Sequence, residues 1–263
     1  AHGSGNANRG LFQGKFNSDA IEYIAIAAEG NSIDFGNMNA SRNWCASVSS
    51  STRSVTTGGY APSNTNSMEY VQIMTLGNGI DFGDMTLQRL TDGTGFSNGI
   101  QGFFCGDFPS RSDTYDVITI ATTGNAVTGG GAPAGGTRWP GAGCSNSVRG
   151  IWAGGSDSPS IFTSVISFIN MASKGNAQAF GDLSVAAGGA AGAAANNTRA
   201  VIPIGQSPEG GVPAYTEVNT VEFITFTTGG NAQDFGDLRG PDNKRHTRHI
   251  SPVSDSHGGI GGY

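Results

Sequence analysis

The sequence is short of the residues that do chemistry: of its 263 residues only 13% are charged, four are histidine and three are cysteine. Each shortage excludes something. The histidines, His2, His246, His249 and His257, sit near the two ends of the chain, and no Gly-X-Ser-X-Gly elbow occurs, so no activated nucleophile with a neighbouring base is offered. Cys45, Cys105 and Cys144 cannot all pair and show neither a Cys-X-X-Cys nor a Cys/His spacing, which speaks against a zinc site and reads as buried small hydrophobes. No apolar run approaches the roughly 20 residues of a membrane helix, so no membrane insertion is expected. The formal net charge of −6 offers no general attraction to phosphate backbones, and nucleic acid is not an expected partner. The one basic cluster, Lys244 to His249, is short and reads as a solvated loop.

What is abundant is glycine, 43 residues, together with serine, threonine, asparagine and alanine. No strict Gly-X-Y period accompanies it, which excludes collagen. Regular runs rich in valine, isoleucine, phenylalanine and tyrosine decide for β structure over disorder.

These runs recur. A Gly-Asn pair appears at Gly30-Asn31, Gly77-Asn78, Gly124-Asn125, Gly175-Asn176 and Gly230-Asn231, with steps of 47, 47, 51 and 55 residues. An alternating apolar run precedes each pair, as in Met68-Glu69-Tyr70-Val71-Gln72-Ile73, and period-two patterning is the strand signature. A second element follows, as in Ile80-Asp81-Phe82-Gly83-Asp84-Met85, and the Gly-Asn pair is expected to supply the positive-φ turn of a tight hairpin. A third element precedes each main strand and ends in glycine, as in Arg149-Gly150-Ile151-Trp152-Ala153-Gly154-Gly155. Polar, Ala- and Ser-rich segments such as Ser41–Ser51 leave room for a fourth, outer strand. The third copy, Val127-Thr128-Gly129-Gly130-Gly131, has lost the core of its second element.

The chain therefore reads as a single all-β repeat domain over 1–263, with units near 9–52, 53–98, 99–147, 148–197 and 198–256 and a partial sixth copy at 257–263. Four short strands in about fifty residues is the arithmetic of a β-propeller blade. The expectation is a propeller of about five four-stranded blades; the alternative is an open β-solenoid, whose coils are usually shorter.

Units such as Thr220-Val221-Glu222-Phe223-Ile224-Thr225-Phe226 with Asp234-Phe235-Gly236-Asp237-Leu238, alternating with units such as Cys144-Ser145-Asn146-Ser147-Val148-Arg149-Gly150-Ile151-Trp152, resemble the kelch-like repeats of structural proteins of tailed marine and cyanobacterial phages. The resemblance implies a virion component, in a tail fibre, tail tip or surface decoration, found on the virion and outside the host cell. It implies host glycans or a receptor and other virion proteins as partners, with self-association of the chain among the options.

Asp-Phe-Gly at 34–36, 81–83 and 234–236 repeats without the Gly-rich loop or His-Arg-Asp loop of a kinase, so a structural role is expected. Asn37, Asp84, Asp182 and Asp237 lie one to a unit, too dispersed for the six to eight oxygens of calcium; no metal and no cofactor is expected. Arginine and acid tend to be kept or lost together: Arg53 with Asp84, Arg149 with Asp182, Arg199 with Asp237, while the unit carrying Gln101 has lost its acid and the first unit has Arg9 with Asn37. This predicts a charge-assisted contact within each unit.

For binding, Trp44, Tyr60, Phe108, Trp139 and Tyr215 stand out as large aromatics in small, polar connections, where they can stack on sugar rings or cap the core between blades. The reading is a non-enzymatic adhesin domain. The alternatives are an assembly module joining neighbours by its end strands, and a carbohydrate-active enzyme drawing two of Asp107, Asp113, Asp157, Glu209 and Glu217 together.

Overall fold

The structure is a computed structural model and describes residues 2–14, 18–92, 94–106, 112, 114–131, 141–158, 161–188, 192–207 and 216–238. These form five four-stranded antiparallel sheets arranged as a five-bladed β-propeller, with no helix and no core cluster between blade 5 and blade 1 among the described residues. Blade 1 holds β1 (His2–Gly5), β2 (Arg9–Gln13), β3 (Ala20–Ala25) and β4 (Ile33–Asn37), and blade 2 holds β5 (Ala46–Ser49), β6 (Arg53–Thr57), β7 (Ser67–Gln72) and β8 (Ile80–Asp84). Blade 3 follows with β9 (Gly95–Ser97), β10 (Gln101–Phe104), β11 (Thr114–Thr119) and β12 (Val127–Gly131). Blade 4 comprises β13 (Ala142–Ser145), β14 (Arg149–Ala153), β16 (Ile161–Asn170) and β17 (Gln178–Ala187), with the short β15 (Ser156–Ser158) pairing the extended start of β16. Blade 5 comprises β18 (Ala194–Ala195), β19 (Arg199–Pro203), β22 (Thr220–Thr225) and β23 (Gln233–Asp237), beside a small hairpin of β20 (Gln206–Ser207) and β21 (Thr216–Glu217).

Each blade thus begins with a short strand of mostly small residues that precedes the arginine, or Gln101 in blade 3. In blades 2 and 3 these residues are wholly buried, as Ala46–Ser49 and Gly95–Ser97. Small residues are needed because the first strands of successive blades lie side by side. They are tied by a ladder in which Ser49 Oγ donates to the Gly5 carbonyl, Ser97 Oγ to Ser49 and Ser145 Oγ to Ser97, each at 2.7 Å.

The apolar core lies between blades. One cluster joins Leu11, Ile21, Phe35 and Met38 of blade 1 to Val71 and Ile73 of blade 2. A second joins blade 2 to Phe104, Ile118 and Ile120 of blade 3, a third joins blade 3 to Trp152, Ile169 and Met171 of blade 4, and a fourth joins blades 4 and 5. No single sheet buries enough apolar surface alone, so the repeats are stable through their neighbours.

Asp-Phe-Gly proves to be a β-bulge. Ile21 faces Gly36 and Glu22 faces Asp34, leaving Phe35 unmatched, and the same shift leaves out Phe82 and Phe235. The extra residue bends the fourth strand, and the rings of Phe35 and Phe82 turn into the junction with the next blade.

The connection after the third strand is longer than a tight hairpin, spanning 26–32 in blade 1. Its glycine has positive φ, 151° at Gly30 and 155° at Gly77. Its asparagine serves the preceding blade: Asn78 Oδ1 accepts the Asn37 N–H at 3.0 Å, Asn125 that of Asp84 at 3.0 Å, Asn176 that of Gly131 at 2.8 Å and Asn231 that of Asp182 at 3.1 Å.

The third blade is rebuilt, not degraded. Gly129 occupies the bulge position, and a Cβ there would lie 2.0 Å from the Tyr115 ring. Tyr115 stands where other blades carry Ile21, Met68, Ile166 or Val221, so one ring moves across the strand pair into the space the missing phenylalanine leaves. Its hydroxyl donates to the Gly175 carbonyl at 2.7 Å. Burial of the phenol lifts its pKa to about 12.

Candidate functional site

The three arginine–acid pairs expected within units do not form. Arg53 pairs across the sheet with Gln72 and Asp84 with Ser67, at opposite ends of the same strand, roughly 16 Å apart at about 3.3 Å per residue. Arg149 and Asp182 are separated in the same way, opposite Asn170 and Val165, as are Arg199 and Asp237, opposite Thr225 and Thr220. The arginines stack instead on the aromatic ring of the third strand: Arg9 on Tyr23 and Arg53 on Tyr70 at 4.6 Å, Arg149 on Phe168 at 4.9 Å, and Arg199 on Phe223 at 4.7 Å. Arg9 Nη1 donates to the Ile73 carbonyl at 3.0 Å and Arg53 Nη1 to Ala121 at 2.7 Å, while Arg149 Nη1 donates to Phe226. In blades 2 and 4 both residues serve the junction with the next blade, the arginine by its side chain and the acid by its main-chain N–H, a contact that Asn37 and Gly131 make equally well.

The buried ion pairs lie elsewhere, in the connections at the glycine-doublet end of blades 1 to 3. Arg42 Nη2 meets Glu69 Oε1 at 2.8 Å, and Glu69 Oε2 accepts the Asn39 N–H at 2.7 Å. One period on, Arg89 Nη2 meets Asp116 Oδ1 at 3.5 Å, and Asp116 accepts both the N–H and the hydroxyl of Thr86. Each arginine also donates to a main-chain carbonyl, Ser67 or Thr114. A sequence signal for them existed. Arg42 and Arg89 stand 47 residues apart, as do Glu69 and Asp116, but the arginines fall in connections and escape an alignment anchored on strands.

Between these pairs runs the loop carrying Trp44. Asn43 and Tyr60 exchange main-chain hydrogen bonds at 3.2 and 2.8 Å, and the Trp44 carbonyl accepts the N–H groups of Thr91 and Asp92. Trp44 is held at φ 55°, a left-handed conformation that costs a non-glycine residue about 1 kcal/mol or more and persists where its surroundings impose it. The Trp44 and Tyr60 rings approach to 6.0 Å, and Tyr60 is 43% exposed. Of the five aromatics singled out, these two come together; Phe108, Trp139 and Tyr215 lie outside the described residues, as do Asp107, Asp113 and Glu209, the basic cluster and the partial sixth copy.

Beneath the loop, Asp92 Oδ1 lies 3.5 Å from His2 Nε2. Burial raises the Asp92 carboxyl from its ordinary 3.8 to about 7. Burial likewise lifts the Cys45 thiol to about 11, against the lowering effect of Arg42, and the Cys144 thiol to about 12, so both stay protonated and unreactive at neutral pH. A folded-state pKa above the unfolded one means that Asp92 supports the fold fully below about pH 4 and that this support is lost as pH rises through about 7. Replacing Asp92 by Asn should therefore leave stability unchanged near pH 4 and raise it at pH 8, by up to about 4 kcal/mol for three pKa units. Melting curves of both proteins at the two pH values check this.

A concavity of about 170 Å³ opens on blade 3 between Phe82, Gln101, Val117, Asn125 and Lys174. It lies where Gln101 replaces the repeat arginine and Val117 the ring beneath it. Its volume falls short of the roughly 300 Å³ at which ligand pockets begin, so it is the gap left by that missing pair. No cluster of three or more His, Cys, Asp or Glu side chains suited to a metal occurs among the described residues.

No protein-family model matches the sequence, and no curated protein matches it.

Proposed function

We propose that the protein is a non-enzymatic adhesin domain of a virion tail fibre or tail tip, which presents the Trp44–Tyr60 loop to glycans of the host surface. The observation that carries this reading is the pairing of an exposed tyrosine with a tryptophan in a strained backbone, seated on a base of buried ion pairs. Rings held rigid in this way meet a ligand with little further loss of conformational freedom. An apolar face next to the polar groups of Asn43 and Asn64 suits a sugar, which has an apolar ring face and hydroxyl edges.

The test is a glycan array probed with the whole chain and with Trp44→Ala and Tyr60→Ala. The reading expects binding to a subset of glycans, weakened at least about tenfold by either substitution, as for central aromatic anchors. Absence of binding to host-type glycans, or binding that survives both substitutions, overturns it. Hydrolysis of the same glycans would restore the enzymatic alternative.

A further inference from the structure

We infer that the chain associates head to tail with further copies of itself, the exposed edge of blade 5 in one copy receiving the Gly30–Ser32 turn of blade 1 in the next. The inference rests on blade geometry and does not depend on glycan binding.

Four junctions inside the chain define one joint. In three of them the glycine of the turn donates to the carbonyl of the bulged residue before it: Gly77 to Phe35 at 3.0 Å, Gly124 to Phe82 at 2.7 Å and Gly230 to Phe180 at 2.9 Å. Two residues on, Gly79, Ala126, Ala177 and Ala232 donate to the carbonyls of Asn37, Asp84, Gly131 and Asp182. The asparagine between them closes the clamp. Contact is so close that a Cβ at Gly36, Gly83, Gly130 or Gly181 would lie 2.2–2.6 Å from the carbonyl group of the next turn.

Among the described residues nothing fills the receiving half of this joint on blade 5. A Cβ at Gly236 would meet no atom within 4 Å among the described residues. Phe235 is 58% exposed, against 2%, 2% and 8% for Phe35, Phe82 and Phe180, and Leu238 is 39% exposed, against 4%, 3% and 4% for Met38, Met85 and Leu183.

Blade 1 carries the inserting half. Gly30, Asn31 and Ser32 occupy the positions of Gly77, Asn78 and Gly79, and Ile26 is 43% exposed where Ile73, Ile120, Met171 and Phe226 are wholly buried. Four core clusters serve four junctions, and no cluster among the described residues joins blade 5 to blade 1.

The two ends are thus complementary halves of an interface the chain already makes four times. Seating one on the other pairs Gly30 N–H with the Phe235 carbonyl, Asn31 Oδ1 with the Asp237 N–H, and Ser32 N–H with the Asp237 carbonyl. It places Arg199, stacked on Phe223, beneath the Ile26 carbonyl, as Arg9 lies beneath that of Ile73. Such a contact uses different surfaces on the two partners, so it joins more than two copies, as a ring where the rotation closes and as an open filament where it does not.

Sedimentation equilibrium of the whole chain should give an average mass that climbs past two chains as concentration rises. Asn31→Arg blocks the inserting half and Phe235→Asp the receiving half; each should be monomeric, and their mixture should form a species of two chains and no more. Leu238→Lys replaces Phe235→Asp should the latter fail to give the wild-type circular dichroism spectrum. A chain that stays monomeric at every concentration, association that survives both single variants, or a mixture that does not pair overturns the inference. So does association that appears only once residues 239–263 are removed, which would make that segment the cover of blade 5.

Discussion

Gly83→Ala should destabilise the protein by at least about 2 kcal/mol more than Gly236→Ala, the scale of a forced backbone shift in a packed interior. The two glycines are a matched pair. Both sit in the bulge of an Asp-Phe-Gly segment with φ of 131° and 137°, so the conformational strain imposed on alanine, of order 1–3 kcal/mol, is common to both. They differ in what the new methyl meets. At Gly83 it lies 2.6 Å from the Gly124 carbonyl, while at Gly236 it meets nothing within 4 Å among the described residues. Main chain held by hydrogen bonds on either side cannot swing away as a long side chain would. Blade 3 must then withdraw from blade 2, opening the cluster that holds Phe82, Phe104 and Ile120. Denaturant midpoints of the two variants, measured at a dilution where the chain is monomeric, isolate the junction from the backbone term. Equal losses would mean that the blades separate at little cost.

Asp116→Ala should cost about 3–5 kcal/mol, the usual penalty for leaving one partner of a buried ion pair alone. Arg89 and Asp116 have side chains 0% exposed, so neither charge is relieved by solvent. Asp116 also accepts the main-chain N–H of Thr86 and its hydroxyl, and these donors lose their acceptor in the same step. Replacing both charges with apolar residues of similar volume, Arg89→Met with Asp116→Val, should recover most of the loss, since burying two charges costs nearly what their attraction returns. Thermal melts of the single and double variants decide this. A double variant as unstable as the single one would show that the Thr86 contacts, and not the charges, carry the stability.

The strands that carry alternating apolar residues, such as Met68 to Ile73, could be read directly, because period two at a half-buried surface is what a blade demands. The Gly-Asn pairs supply the positive φ expected of them, though in a connection longer than a tight hairpin, and the asparagine has a second role that sequence did not show, as a clamp on the preceding blade. The first strand of each blade left little trace. Ala46–Ser49 and Gly95–Ser97 are buried on both faces, so no alternation survives, and small residues resemble a loop. The blades accordingly begin one strand earlier than the repeat units drawn from sequence.

The pairing of arginine with acid failed because sequence displays side chains, whereas the partners of Arg9 and Arg53 are carbonyls two strands and one blade away. The tyrosine that fills blade 3 was legible as a departure at one position and a gap at another, Tyr115 and Gly129, but only the packing shows that they offset each other. Of the candidate binding residues, Trp44 and Tyr60 were found as aromatics in polar surroundings. The ion pairs that support them were missed, although their 47-residue recurrence was present.

The seam between blades has a consequence for how such a chain can change. At the turn its hydrogen bonds are made by main-chain atoms and by a single asparagine, backed in blades 1, 2 and 4 by an arginine that donates to a carbonyl of the next blade, and the facing surface lacks a Cβ at one point. Any unit that ends in the bulge and opens with the turn therefore fits beside any other, whatever its loops contain. Duplication, deletion or exchange of a whole unit leaves every remaining seam intact, so the exposed connections can diversify while the framework that carries them is inherited unaltered.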